Sequence, residues 1–310
     1  MKEPVRRLEF HILYQCTNSC VFCCESEHMR NFGAYPALPE DVSAILKAKR
    51  RQGYDHVTFT GGEPTLYPGL LDALRQAKHL GYKTFLISNG AALSIPEFCA
   101  RILPFTDELC FSVHGHNAAL HDKLARNPRA FVRIKKALEN VRSHPRRLFV
   151  MINTVVNRLN VGHLPALLRW AGRFDKVRHF LLSHMAPEGD GLRRFKNLAV
   201  RHKDIAKQLP AMAAAAKAKG ITLRVFGVPA CELGEHWKLS NDLYFSPRVT
   251  VARAFLKGGK VGWFEEPSLD ATRARRHLPF CSRCGLHEKC GGVFRRYYRE
   301  FGKEGMHPLA

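Results

Sequence analysis

Through the first two thirds of the chain, short β-branched or aromatic runs alternate with amphipathic stretches of helical period. This pattern predicts strands at 9–14, 56–60, 83–88, 108–113, 148–155 and 177–183. Helices lie between them, such as the one over 39–51, which opens with a proline and two acids suited to a helix start. Six strand-then-helix units imply an α/β fold: a parallel sheet with crossover helices, curled into a partial (β/α)6 barrel of the TIM type. After the alanine-rich helix ending near Lys219 the pattern changes. A strand is predicted over 221–228 and a hairpin over 248–264, turning at Gly258-Gly259. We therefore expect a boundary near Gly220, with a core at 1–219 and a small α+β extension at 220–310 that contains the hairpin. There is no internal repeat, and the alanine run at 211–218 is a helix former's composition.

Composition supports a folded chain: 310 residues, 45% hydrophobic and 25% charged, are inconsistent with wholesale disorder. The basic N-terminal residues are not followed by an apolar signal core, and no run approaches the roughly 18 apolar residues of a membrane span. We read the chain as cytoplasmic, without a transmembrane segment. Ten cysteines in that setting point to metal or redox ligands rather than disulfides. The net charge of +22 implies an acidic partner: an RNA, an acidic peptide, an anionic surface or a phosphorylated small molecule. A generally basic, solvated surface accounts for it equally well.

The cysteines cluster. Cys16, Cys20 and Cys23 form a C-x3-C-x2-C run directly after the first predicted strand. Three thiolates on one loop can each hold one iron of a cubane and leave the fourth iron open, whereas a structural zinc site closes with four protein ligands. Cys24 adjoins Cys23, and adjacent side chains rarely turn to one metal; it is read as a buried or redox-neutral thiol. Cys99 and Cys110 are read as buried structural thiols. The second predicted strand ends in Gly61-Gly62-Glu63-Pro64, where paired glycines let backbone approach a ligand closely. Near the C-terminus Cys281, Cys284 and Cys290 are spaced C-x2-C-x5-C, and Cys231 stands upstream; four cysteines suit a closed cubane or a zinc site.

The first run, with aromatic Phe22 before its third cysteine, and the GGEP turn one unit later resemble the radical S-adenosylmethionine (SAM) superfamily. That resemblance implies a [4Fe-4S] cluster on Cys16, Cys20 and Cys23 that binds SAM. It places Phe22 beside the adenine and Gly61, Gly62 and Glu63 at the SAM amino group. Asn89 and Ser112, and with them Asn153, are further candidate SAM contacts at strand ends, in a chain whose 112–122 stretch, SVHGHNAALHD, resembles the fourth-strand region of many members. Ser88, Gly90, Gly115, Asn157 and the stretch 184–189 also fall at the strand ends, where a barrel presents its active face. His114, His116 and His121 are read as solvated loop residues, and none is assigned catalysis.

The C-terminal cysteines after a hairpin resemble the auxiliary-cluster extensions called SPASM and, in shortened form, twitch. With Phe294 where the full pattern continues, there is room for one auxiliary [4Fe-4S] cluster on Cys231, Cys281, Cys284 and Cys290, and the twitch form is the better match. The resemblance implies an oxidoreductase-type enzyme that cleaves SAM reductively to a 5′-deoxyadenosyl radical and abstracts hydrogen. A one-electron donor such as flavodoxin or ferredoxin would serve it. Three functions follow as expectations. The first is a peptide- or protein-modifying maturase, since such extensions are widespread in enzymes of ribosomally made peptides. The second is modification of RNA, a nucleotide or another phosphorylated molecule, for which the Arg193-Arg194-Phe195-Lys196, 273–277 and Arg295-Arg296-Tyr297-Tyr298 runs offer cations beside aromatic groups. The third is a non-catalytic iron–sulfur electron carrier, which leaves the GGEP turn unexplained.

Overall fold

The computed structural model describes residues 6–269 and 274–309. Its strands are β1 (Arg7–Leu13), β2 (His56–Gly61), β3 (Lys83–Ser88), β4 (Glu108–Ser112), β5 (Phe149–Val156), β6 (Val177–His184), β7 (Thr222–Phe226), β8 (Arg248–Phe255) and β9 (Val261–Ser268). They form one sheet in the order β7-β6-β5-β4-β3-β2-β1-β8-β9. Strands β1 to β7 are parallel, β8 is parallel to β1, and β9 returns antiparallel to β8.

Helices α1 (Ser26–Phe32), α2 (Pro39–Arg51), α3 (Leu70–His79), α4 (Pro96–Ile102), α5 (Ala118–Ala125), α6 (Ala130–Ser143) and α7 (Leu164–Ala171) lie in the crossovers. The short helices α8 (Gly189–Arg193), α9 (Phe195–Leu198) and α10 (His202–Ala206) lead into α11 (Leu209–Lys219), which ends at Gly220 in the left-handed conformation. The start of α2 follows its sequence: Pro39 fits the first turn, and the Asp41 carboxylate accepts the Leu38 N–H at 3.2 Å.

Alternation along each strand separates two faces. Leu8, Phe10 and Ile12 of β1, Val57 and Phe59 of β2, and Leu109 and Phe111 of β4 are wholly buried in one core with the surrounding helices. The alternate positions Glu9, Thr58, Cys110, Asn153 and Ser183 line a cavity on the opposite face. A parallel sheet with a polar concave face has the architecture of a partial barrel, with space left for a ligand.

The six expected strands are present to within two residues at each end. The hairpin turns through Gly258 and Gly259, both at positive φ (+81° and +76°), as the glycine pair requires. Beyond Gly220 the chain continues the sheet of β1 to β6. Strand β7 adds to one edge of the core sheet and the hairpin β8–β9 to the other. What stands outside that sheet is the pair β10 (Arg275–Arg276) and β11 (Val293–Phe294) with α12 (Arg295–Phe301) and the cysteine segment between. A second apolar cluster ties this segment to the N-terminal cysteine loop: Phe22, Leu124, Met185, Leu278, Phe294 and Tyr297 pack together. No helix among the described residues is long and apolar enough to cross a membrane.

Candidate active site and C-terminal cysteine cavity

Cys16, Cys20 and Cys23 occupy the loop that leaves the C-terminal end of β1, and neighbouring elements hold its backbone. Ser19 N donates to Ala125 O and Val21 N to Leu124 O, each at 3.0 Å, and the Asn127 amide reaches Thr17 O (3.0 Å) and Asn18 Oδ1 (2.7 Å). From the far side the β6–α8 loop presses in. Asp190 N donates to Cys23 O (2.9 Å), and a side chain on Gly189 would meet Cys23 O and Cys24 O at 2.6 Å. None of the three thiols is in a disulfide. Burial raises their pKa values, Cys23 to about 12, and Cys20 is pushed further up by its two partner thiols. Such a set stays protonated until a cation takes the place of the protons.

The GGEP turn braces the same loop. Gly62 N donates to Leu13 O and Glu63 N to Gln15 O, both at 2.7 Å. Added Cβ atoms would lie 2.3 Å from Leu13 O at Gly61, which has φ +117°, and 2.2 Å from Gln15 O at Gly62. Only glycine permits this approach. Glu63 is 1% exposed, and its carboxylate is already engaged. Oε1 accepts from Thr65 N (3.1 Å), Thr65 Oγ1 (2.5 Å) and Ser88 Oγ (2.8 Å), and Oε2 accepts from Asn89 N (2.7 Å). Burial raises its pKa despite these donors. Its position thus knits the ends of β2 and β3 together, through Thr65 and Ser88, partners that the sequence reading had not linked to it.

Asn89 joins the group from the end of β3. Its Nδ2 lies 2.9 Å from Thr17 Oγ1 and 3.6 Å from Cys16 Sγ. Ser112 and Asn153 are register neighbours on β4 and β5, and Asn153 Oδ1 accepts the Ser183 hydroxyl at 2.8 Å. The structure therefore brings Cys16, Gly61, Gly62, Glu63 and Asn89 together, with Ser112 and Asn153 further round the curl. Phe22 is 5% exposed and meets the His114 ring edge-on at 4.6 Å. Asn157 is spent on backbone, accepting from Leu159 N (3.0 Å).

The surroundings expected for three residues are corrected. His114 and His121 are buried rather than solvated: His121 Nδ1 accepts His114 N at 3.1 Å, and burial lowers the His121 pKa to about 4. Cys24 is exposed, not buried, whereas Cys99 and Cys110 are buried as expected. Beneath the loop, His11 is buried between Glu25 (3.3 Å) and Glu9 (3.4 Å). Burial alone would lower its pKa, but the two carboxylates overcome that and raise it to about 10.

Cys231, Cys281, Cys284 and Cys290 line one small cavity, closed by Leu278, Val293 and Met306 among others. All four are free. Backbone amides point at three of the sulfurs, each at 3.4 Å: Leu278 N at Cys281, Gly292 N at Cys290 and Leu309 N at Cys284. The turn after Cys290 is anchored in the interior. Gly291 N donates to Asp242 Oδ2 (2.9 Å), and Asp242 forms a two-pronged pair with Arg275 at 2.7 and 3.0 Å. The sequence carried no signal for Asp242. The basic runs are in part interior: Arg275 and Tyr297 are buried, and Arg296 pairs with Glu300, so these residues are not free to stack on bases; Arg273 lies outside the described residues.

Comparison with known proteins matches the geometry. Among solved structures, Streptococcus suis SuiB bound to S-adenosylmethionine superposes with TM-score 0.64 at 16% identity, covering 98% of this chain and 76% of that one. Native anSMEcpe with bound AdoMet gives 0.62 at 13%, covering 98% and 93%. At these identities the likeness is one of fold. Among curated proteins, an S-adenosylmethionine-dependent nucleotide dehydratase of Flammeovirga pacifica is 25% identical over 162 residues, 50% of this chain and 55% of the relative. A probable GTP 3′,8-cyclase of Saccharolobus solfataricus is 29% identical over 161 residues, 51% and 50% of the two chains. The chain thus spans about half the length of these relatives. The model of the Radical SAM superfamily matches residues 11–171, just over half of the chain and the stretch that carries the cysteine loop, the glycine turn and Asn89. The protein belongs to the radical SAM superfamily.

Proposed function

We propose that this radical SAM enzyme abstracts hydrogen from a compact substrate held on the concave face of its sheet, with Cys16, Cys20 and Cys23 as ligands of a [4Fe-4S] cluster. The donor set fits: three soft, free thiols on one loop, with Asn89 beside Cys16 and a glycine turn whose backbone approaches without side chains. The chemistry supplied when cluster and SAM are bound is reductive cleavage of SAM and hydrogen-atom abstraction by the resulting 5′-deoxyadenosyl radical. In this reading Gly61 and Gly62 admit the amino-acid end of SAM, Glu63 fixes that turn, and Asn89, Ser112 and Asn153 line the approach.

We assign Cys231, Cys281, Cys284 and Cys290 to an auxiliary [4Fe-4S] cluster in a twitch-like unit, 220–310, that shares the sheet of the core, 1–219. Support comes from four free thiols on one cavity wall with amides aimed at the sulfurs, the surroundings that tune such clusters. A small acidic electron carrier, flavodoxin or ferredoxin, suits the +22 surface.

The observation that carries the substrate reading is the cavity of about 620 Å³ on the concave face, of a size for one small molecule. A nucleotide or other phosphorylated molecule suits it, and the names of the curated relatives point the same way. A peptide or protein substrate is the second reading, favoured by β9, whose outer edge is unpaired among the described residues and on which Phe264 is exposed. Anaerobic reconstitution followed by iron and 5′-deoxyadenosine assays tests the proposal. We expect roughly eight irons with two cubanes, no deoxyadenosine from Cys20→Ala, and roughly four irons with uncoupled SAM cleavage from Cys284→Ala. Full turnover by Cys20→Ala would sink the assignment.

A further inference from the structure

The geometry points to an anion subsite at the foot of the barrel, formed by Arg7, Arg224 and Arg248, that holds the phosphate end of a nucleotide-sized substrate. The inference rests on the reading that substrate occupies the concave face, and it adds the group recognised there and the residues that recognise it.

The three arginines come from strands far apart in the order of the curled sheet. Arg7 opens β1 and Arg248 opens β8, and the two are register partners, so their side chains stand side by side. Arg224 lies on β7, at the far end of the strand order. The segment 241–245 draws them together: the Arg224 guanidinium covers the Tyr244 ring at 3.9 Å, and that of Arg248 covers the adjacent Phe245 at 5.5 Å. Arg7, Arg224, Arg248, Tyr244 and Phe245 all line the same cavity.

The charges there are unbalanced. Glu108 is taken by Lys83, and Glu9 is shared between Arg248 (3.6 Å) and His11. Among the described residues neither Arg7 nor Arg224 has a carboxylate partner; Arg7 Nε is buried without any hydrogen bond, and Arg224 donates only to the backbone at Leu223. His179, on the same wall, also keeps a buried Nε2 without a partner. Burial and then Arg224 lower its pKa to about 4, so it is neutral and adds a polar atom without charge. Three arginines on one concave site, two of them without a carboxylate partner among the described residues, call for an anion rich in acceptors, and phosphate matches their fork geometry.

Position sets the length of the ligand. Arg7 and Leu13 are the two ends of β1, so the subsite lies about 20 Å below the cysteine loop. A small phosphate ester bound at the foot would keep its carbons remote from that loop. A nucleoside polyphosphate, its phosphates down and its sugar and base upward past Phe149 and Met151, spans most of the distance.

The test uses holoenzyme reconstituted with iron and SAM, and calorimetric titration with the common nucleoside triphosphates, their nucleosides, pyrophosphate and an acidic peptide. We expect a triphosphate and pyrophosphate to bind, the nucleoside to bind at least roughly tenfold more weakly, and Arg224→Ala or Arg7→Gln to weaken the triphosphate by roughly ten- to a hundredfold. Arg224→Lys, which keeps the charge without the fork, should fall between, and unchanged melting temperatures establish that the variants are folded. Phosphate binding that is equal in wild type and both variants marks a merely basic surface and overturns the subsite, as does no phosphate binding at all or arginine-dependent binding of the acidic peptide alone. Deoxyadenosine formation without substrate separates the two levels: if it persists while phosphates do not bind, the subsite is wrong and the radical SAM reading stands.

Discussion

Replacing Asp242 by alanine tests how the C-terminal cysteine cavity is held. The carboxylate is 1% exposed, as is the side chain of its partner Arg275, and it also accepts Gly291 N next to Cys290. Arg275 is wedged near the rings of Phe226 (4.8 Å) and Phe294 (5.4 Å), and its side chain is shut off from bulk solvent. Removing one partner of such a pair strands a buried cation, at about 3–5 kcal/mol. That is a large share of a typical folding stability of about 5–15 kcal/mol. Urea unfolding of the apoprotein should therefore show a loss of this size. Iron after reconstitution should fall toward four per chain, because the turn that carries Cys290 loses its anchor. Asp242→Ala with Arg275→Met removes both charges and leaves an apolar side chain between the rings, so most of the stability should return while the anchor for Gly291 stays missing. The reasoning fails if the single variant unfolds within about 0.5 kcal/mol of wild type, or if the double variant is no more stable than the single.

Gly62→Ala would place a carbon 2.2 Å from Gln15 O; a cost of at least about 1–3 kcal/mol and loss of iron from the N-terminal site alone are expected by thermal melting and iron analysis. Glu63→Gln puts an amide hydrogen against the Asn89 N–H or the Thr65 and Ser88 donors, and should weaken SAM binding in equilibrium dialysis while the auxiliary iron is retained. His11 supplies a pH signature. Its folded pKa, about 10, lies above its unfolded value of about 6.5, so its contribution is complete below pH 6.5 and is lost as pH rises toward 10. The stability gap between wild-type apoprotein and His11→Gln should shrink over that interval, and a gap that widens would contradict the pairing with Glu9 and Glu25.

Much of the N-terminal site was legible because its information is local. The 16–20–23 spacing places three thiols on one loop whatever surrounds it, and two adjacent glycines announce a backbone approached too closely for side chains. The strands were legible for the same reason: alternation at period two, as in RLEFHIL, carries its own burial pattern. Contacts between distant segments were not. Glu63 finds Ser88 and Asn89 only once β2 and β3 lie side by side, and His114 leaves solvent only when Phe22 and His121 of α5 pack against it. The sequence also carried no sign of where the strands beyond Gly220 would pair: the open strand edges at β6 and β1 accept β7 and β8. Side-chain type and spacing therefore determined which chemistry the chain can carry, through thiols on a loop and glycines at a strand end. Closure of the sheet decided which charges face one space, because arginines 217 positions apart, at 7 and 224, line the same cavity only once the strands between β1 and β7 have curled around it.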